Sequence, residues 1–380
     1  MQCGAESREM ESCELPKTVD WSVVAVIGVG LIGGSLALGL KRAGLARWVI
    51  GVSSPGTISD ALDLGVIDAG GGYDELPRLV GDAGVVVLSA PIFRIIELLP
   101  EVAKAAAPGT LVTDVGSTKA EIVRAAQRVM PPGVAFIGGH PMAGSEQSGV
   151  AAADPFLFQN AIYVLTPTAE TPDALLASLA DGLTKLGARL LRLAPEVHDR
   201  VAAAVSHLPQ LLALALVELV GDLNAGESAY LQMAAGGFRD MTRIASSPYR
   251  MWRDILGTNA PEIRAVLAAF QERMTKLEED LEDAEAHFRK ANEIRATIPK
   301  DSKGFITPIC DVLVRCEDRP GVLARMTSAL AEAGINIMDL ELLKVREGEG
   351  GTFRMAFRDD ATARAAVSVL KSAGFEARRR

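Results

Sequence analysis

Cysteine is scarce in this chain, with four in 380 residues at positions 3, 13, 310 and 316 and no metal-ligand spacing between them. That rules against a disulfide framework and a metal site, and a reduced, cytoplasmic setting is expected. Histidine is equally scarce, also four residues, so each one must be accounted for. Positive charge is not in excess: 39 Lys and Arg against 48 Asp and Glu leave a net charge of -9. Nucleic acid is therefore not an expected partner, because phosphate binding rests on clustered cations. The opening MQCGAESREMESCELPK lacks the basic start and apolar core of a signal peptide, and residues 1–20 are expected to form a flexible tail. Long apolar runs are missing too. Only Val23 to Leu40 could pass for a membrane span, and glycines at 28, 30, 33, 34 and 39 punctuate it, so no membrane partner is expected.

What is present is organised. Between Trp21 and about Pro167 a unit repeats, a short β-rich apolar run followed by a turn and a helical pattern. The runs are VVAVIG, RWVIGV, VVVLSAP, TLVTDVG and VAFIGGHP, with AIYVLTP and ARLLRLAP as two further strand candidates. Alternation of this kind predicts a parallel sheet covered on both faces, an α/β Rossmann-type domain over residues 21–194. After Pro195 strand signals stop, and residues 195–297 read as an all-helical domain. TIPKDSKGFITP supplies a linker over 298–307, and residues 308–380 read as a small α+β module of strand, helix, strand, strand, helix.

VVAVIGVGLIGGSLALGL places Gly28, Gly30 and Gly33 in G-x-G-x-x-G register between a strand and a helix. Glycine permits the tight turn and close backbone approach to a pyrophosphate, whose charge suits the helix N-terminus. Leu31 and Ile32 in that turn, and Ala90 and Pro91 after VVVLSAP, are further cofactor candidates. The expected cofactor is NAD, with NADP open: Ser53 and Ser54 stand where an acid would hold the ribose of NAD, and no arginine beside them invites a 2′-phosphate.

Ligands of a doubly wound sheet bind at the carboxyl ends of its strands. TLVTDVGS ends with Asp114, Gly116 and Ser117, and VAFIGGHP ends with His140. His140 has the pKa range of a base that accepts a hydroxyl proton as hydride leaves the same carbon. Ser117 either faces the nicotinamide beside His140 or caps the next helix, where Thr118 and Glu121 fit a capping box. In the helical domain, Asp199, Ala203, Ser206 and Gln210 share one face of a helix that Pro209 is expected to kink, with His207 adjoining.

The set GVGLIGGS, DVGSTK, GGHPMAGSE, SHLPQ and GGFRDMTRIASSPYRMWRDI, in that order, resembles the prephenate dehydrogenase family from about Trp21 to Ile294. The resemblance implies oxidative decarboxylation of prephenate to 4-hydroxyphenylpyruvate with hydride transfer to NAD(P), in tyrosine biosynthesis. Arogenate dehydrogenase, which yields tyrosine directly, is the alternative. It implies His140 as base, Ser117 as its partner at the ring hydroxyl, and a substrate pocket containing Ser145, Glu146, His207, Gln210, Gly236 and Arg243. Arg243 would clamp the ring carboxylate, and Glu146, Asp199 and Asp240 would form a charged gate with it. Many relatives carry a second histidine where this chain has Gln210.

CEDRPGVLARMTSALAEAGINIMDLELL resembles an ACT domain, a small regulatory fold that pairs with copies of itself. That resemblance implies an amino-acid effector, tyrosine, near Asp318, Pro320, Gly321 and Asn336. A homodimer joined through the helical domain is expected. Two other readings remain: another β-hydroxyacid or imine reductase, and a non-catalytic NAD(P) sensor that signals through the C-terminal module.

Overall fold

The structure, a computed structural model, describes residues 15, 17–144, 147–297, 310–317, 319–346 and 350–379. The predicted linker 298–307 lies outside the described residues. Contacts divide the chain into two units, Met1–Ala284 and Glu285–Arg380.

The first unit carries strands β1 (Val23–Ile27), β2 (Trp48–Val52), β3 (Ala69–Gly71), β4 (Val85–Leu88), β5 (Leu111–Asp114), β6 (Ala135–Pro141), β7 (Ile162–Thr166) and β8 (Arg189–Arg192). They form one sheet in the order β3-β2-β1-β4-β5-β6-β7-β8. Its helices are α1 (Leu31–Arg42), α2 (Pro55–Asp63), α3 (Leu76–Val80), α4 (Ile92–Ala105), α5 (Ala120–Val129) and α6 (Asp173–Lys185). Both faces of the central strands are dry, whereas the edge strand β8 is largely exposed, and the period-2 geometry of a strand sorts the side chains. Val24 and Val26 of β1 join Leu36, Leu40, Leu175 and Leu179 of α1 and α6 in one core. Ala25 and Ile27 join Leu76, Ile95, Leu98 and Ile122 of α3, α4 and α5 in the other.

The sheet departs from the expected parallel order at one place. β6 pairs in parallel with β5 through Ala135–Ile137, then antiparallel with β7 through Gly138–Pro141. β7 and β8 are parallel to each other. Parallel neighbours need a crossover, usually a helix; between β6 and β7 the described residues hold only the 3-10 turn Val150–Ala152. The consequence for function is that β6 runs on past the end of β5.

Helices α7 (Pro195–Ala202), α8 (Leu208–Gly226), α9 (Ala229–Gln232), α10 (Gly236–Thr242), α11 (Tyr249–Thr258) and α12 (Ala260–Glu279) follow. α7 and α8 are joined by a π-helical turn, Ala203–His207, a form that recurs at functional sites. Pro209 lies just past the π turn within one helical run, and the irregularity expected at the proline takes the form of that turn. The continuous helical run Pro195–Gly226 is long and apolar enough to cross a membrane, with 28% of its 18-residue apolar segment buried. Val23 to Leu40 is thus not the one stretch of this kind; it folds into β1 and α1, largely buried.

The second unit begins with α13 (Glu285–Thr297), which the sequence pattern assigned to the helical domain. β9 (Cys310–Cys316), α14 (Val322–Glu332), β10 (Asp339–Arg346), β11 (Gly350–Phe357), α15 (Asp360–Ser372) and β12 (Glu376–Arg379) complete it. They form an antiparallel sheet in the order β10-β11-β9-β12. Met355 and Phe357 pack against Met326, Leu330, Ala366 and Leu370. The last strand is absent from the sequence reading, because EARR shows a charge run and buries only Ala377. Asp359 caps α15 by accepting from the Thr362 amide at 2.8 Å.

Candidate active site

The cofactor cradle is built at the β1–α1 turn. Gly28 has φ +96, and a Cβ there would stand 2.2 Å from the Ser89 carbonyl oxygen. A Cβ on Gly33 would meet the Gly28 carbonyl at 2.2 Å, whereas one on Gly30 would meet nothing. The turn is closed against β4 and open where a pyrophosphate would lie, and α1 starts there with no side-chain cap on its free amides. These residues fit a dinucleotide. Leu31 and Ile32 are half-buried in the first turn of α1, and Ala90 and Pro91 lead from β4 into α4. At the end of β2, Ser53 is buried with its amide bonded to the Gly71 carbonyl. Ser54 is exposed, its hydroxyl 2.9 Å from that of Thr57 at the start of α2.

Two strands away, β5 ends at Asp114, whose carboxylate accepts from the Gly116 amide at 2.8 Å and the Gly139 amide at 3.1 Å. It also pairs with the Lys119 ammonium, which donates to the Gly139 carbonyl at 2.7 Å. Neither side chain of the pair is exposed. Burial lowers the Lys119 pKa, and Asp114 and Asp199 oppose that shift. The glycine at 139 is required by packing: a Cβ would come within 2.6 Å of the Asp114 carbonyl and 2.9 Å of the Tyr163 ring. β6 is thereby clamped to the β5–α5 loop, one residue before His140.

The predicted capping box does not form. α5 begins at Ala120, and the Thr118 hydroxyl lies 2.8 Å from that of Thr258 in α11. The cap comes from another part of the chain: Asp199 accepts from the Lys119 amide at 2.7 Å and the Ala120 amide at 2.9 Å. Ser117 is left half-buried in the loop and does not cap the helix.

His140 is buried, and its Nδ1 lies 2.8 Å from Nε2 of His198, whose own Nδ1 lies 2.8 Å from the Asp199 carboxylate. Burial, followed by the fields of His198, Lys119 and His207, holds the His140 pKa well below the ordinary histidine value. His207, in the π turn, is pushed down to about 4, chiefly by burial and against the pull of Asp199. Its Nδ1 accepts from the Asn259 amide at 3.2 Å, the same group that donates to the Asp199 carbonyl at 2.9 Å. That leaves the His207 proton on Nε2 as a donor. The Trp252 ring meets His207 edge-on at 5.9 Å, and its indole N–H is buried without a partner among the described residues.

Three of the four histidines thus converge, of which the sequence reading singled out His140 and His207. His198 was missed. Its one local signal was the His-Asp pair at the start of a helix, which becomes meaningful only when β6 lies beside it. Gln210 is buried, one turn past the π segment. Gly236 and Arg243 are exposed, at the start of α10 and in the 3-10 turn after it. Asp199 does not belong to a gate, since its carboxylate is buried and occupied by α5 and His198. Ser145 and Glu146 lie outside the described residues, as does Asp318. Among the described residues no cluster of three or more His, Cys, Asp or Glu is disposed to hold a metal ion.

In the second unit Pro320 and Gly321 line a cavity of about 300 Å³ with Arg319, Leu323, Leu342 and Phe353. Asn336 is exposed and does not line it. Gly321 has φ +84 at the N-terminus of α14, a conformation that favours glycine.

Comparison with known proteins matches three successive segments of the chain. Residues 36–192 match the nucleotide-binding domain of prephenate dehydrogenase, 194–292 its dimerization domain, and 311–375 the ACT domain. Prephenate dehydrogenase of Bacillus subtilis is 38% identical over 366 residues, covering 92% of this chain and 95% of that protein. The crystal structure of prephenate dehydrogenase from Aquifex aeolicus, in complex with hydroxyphenyl propionate and NAD+, superposes with a TM-score of 0.67 at 32% identity, covering 72% of this chain and 97% of that one. That of Synechocystis arogenate dehydrogenase superposes with a TM-score of 0.64 at 31% identity, covering 73% and 100%.

Proposed function

The chain belongs to the prephenate dehydrogenase family, NAD(P)-dependent oxidoreductases, and from that premise we propose that it converts prephenate to 4-hydroxyphenylpyruvate with NAD in tyrosine biosynthesis. The observation that carries the reading is the neutral imidazole of His140 at the same sheet edge as the open glycine turn at Gly28 to Gly33.

The dinucleotide, when bound, supplies a hydride acceptor. The chain's own residues manage the proton and the geometry. His140 takes the proton of the ring hydroxyl at Nε2 as hydride leaves the carbinol carbon, and Ser117 orients that hydroxyl. The bond from the ring to its carboxylate then breaks, CO2 departs, and the released electron pair aromatises the ring. The proton held on His140 returns to the ring oxygen to give the phenol, so no net proton is consumed. A base with a pKa well below 6.5 is neutral at pH 7 and ready to accept. Arg243 clamps a carboxylate, and the Nε2–H of His207 donates to a substrate oxygen.

Prephenate is favoured over arogenate by the name of the Bacillus subtilis relative, which also spans the C-terminal module. The exposed apolar residues Val217, Leu219 and Leu223 of α8 support a homodimer that covers them. The cavity at Pro320 and Gly321 supports amino-acid feedback, with tyrosine as the effector. Sparse cysteine without metal-ligand spacing supports a cytoplasmic enzyme. The test is a spectrophotometric assay of NAD+ and NADP+ reduction with prephenate and with arogenate. Turnover of prephenate with NAD+ is expected, and no turnover of either substrate overturns the reading.

A further inference from the structure

His140 is held by a chain of three side chains whose hydrogen-bond inventory can be closed from one end. Asp199 accepts from two backbone amides, Lys119 at 2.7 Å and Ala120 at 2.9 Å, and its Oδ1 also lies 2.8 Å from Nδ1 of His198. A carboxylate only accepts, so the proton between them belongs to His198 Nδ1. Neutral His198 then presents a lone pair at Nε2, which lies 2.8 Å from Nδ1 of His140. That contact is a hydrogen bond only if His140 carries its proton on Nδ1. Nε2 of His140, which has no partner among the described residues, is left with a free lone pair. With His198 holding a single ring proton, each link has one direction, fixed by the Asp199 carboxylate, which can only accept.

We propose that His198 and Asp199 are positioning residues that lock His140 in the Nδ1–H tautomer, so that its Nε2 is the base that meets the substrate hydroxyl. The inference rests on the assignment of His140 as the base. It adds that the cap of α5 and the tautomer of the base are set by the same carboxylate. When His140 accepts a proton at Nε2, its Nδ1–H bond to His198 strengthens, and Asp199 at the far end stabilises the charge. Lys119, Asp114 and His207 are the other titratable groups around this chain, with His207 turned aside onto Asn259. If the chain ran the other way, with a donor at position 199, His198 would donate to His140 Nδ1. The His140 proton would then sit on Nε2 and block the reaction.

The first test needs no substitution in the protein examined. In the full-length wild type with 15N-labelled histidine, the His140 ring signals, identified by their loss in His140→Asn, are expected to show the Nδ1–H tautomer at pH 7. The Nε2–H tautomer there would overturn the proposal. The second test is Asp199→Asn, whose amide oxygen can still accept from the Ala120 amide while its NH2, in place of the oxygen shared by the Lys119 amide and His198, donates to His198. It is expected to switch His140 to Nε2–H and to lower kcat by about 100-fold, as loss of the base itself does, with KM within about threefold. His198→Gln offers an acceptor for Nδ1–H of His140 and is expected to lose about tenfold, against about 100-fold for His198→Leu. Asp199→Asn or His198→Leu with kcat within threefold of wild type overturns the proposal. The tautomer measurement needs no substrate, so a wild type that turns over neither prephenate nor arogenate would refute the proposed function and leave the locking of His140 to be decided by its ring signals.

Discussion

Lys119 and Asp114 form an ion pair from which both side chains are wholly withdrawn from solvent, and it holds the loop after β5 against the backbone of Gly139. A buried pair is costly to break from one side, because the remaining charge keeps its desolvation without its partner. Lys119→Met is expected to lower stability by about 3–5 kcal/mol in urea unfolding. Lys119→Met combined with Asp114→Asn should recover part of that loss. A single variant within about 0.5 kcal/mol of wild type would show the pair to be unimportant.

Two buried histidines set the acid side of the stability profile. The folded-state pKa values of His140 and His207 are both depressed, the latter to about 4, against an unfolded value of 6.5. Between about 4 and 6.5 the unfolded chain therefore binds more protons, and stability must fall as pH drops through that window. The expected Tm declines from pH 6.5 toward pH 4, and His207→Asn should flatten the decline. An unchanged slope in that variant would remove His207 as its source.

The same depression predicts the activity profile. With His140 neutral until well below pH 6.5, the acid limb of kcat/KM should lie below that value. His140→Asn is expected to lower kcat by about 100-fold or more while substrate still binds. For Arg243→Ala the expected change is mainly a rise in KM, measured in the same assay.

Gly28→Ala would place a methyl group 2.2 Å from the Ser89 carbonyl at a backbone φ of +96. Strain and clash together predict a loss of about 1–3 kcal/mol in thermal unfolding and weakened NAD binding by fluorescence titration. Unaltered cofactor affinity would show that the turn tolerates a side chain.

Gly321→Val places a β-branched residue at φ +84 in the loop that lines the cavity of the second unit. Inhibition by tyrosine is expected to be lost with basal turnover unchanged. An inhibited variant would place the effector elsewhere.

Much of this molecule was determined by sequence alone, wherever the physics is local. Alternating apolar runs specified the strands of the sheet, since Val24 and Val26 must face one way and Ala25 and Ile27 the other. The spacing of Gly28, Gly30 and Gly33 specified a phosphate turn, because the requirement is for missing side chains at particular backbone positions. His140 was legible from its place at a strand end.

Tertiary structure decided what depends on elements far apart in the chain. The antiparallel return of β7 carries β6 past β5 and brings His140 beside α7, 58 residues on. No local pattern announces that Asp199, 80 residues from Lys119, caps the helix for which Thr118 and Glu121 had been candidates. Hydrogen-bond direction then propagates from that cap through His198 to His140. Sequence singled out His140 as a candidate base; only packing decides which of its two nitrogens keeps a free lone pair, because a histidine takes its tautomer from its neighbour.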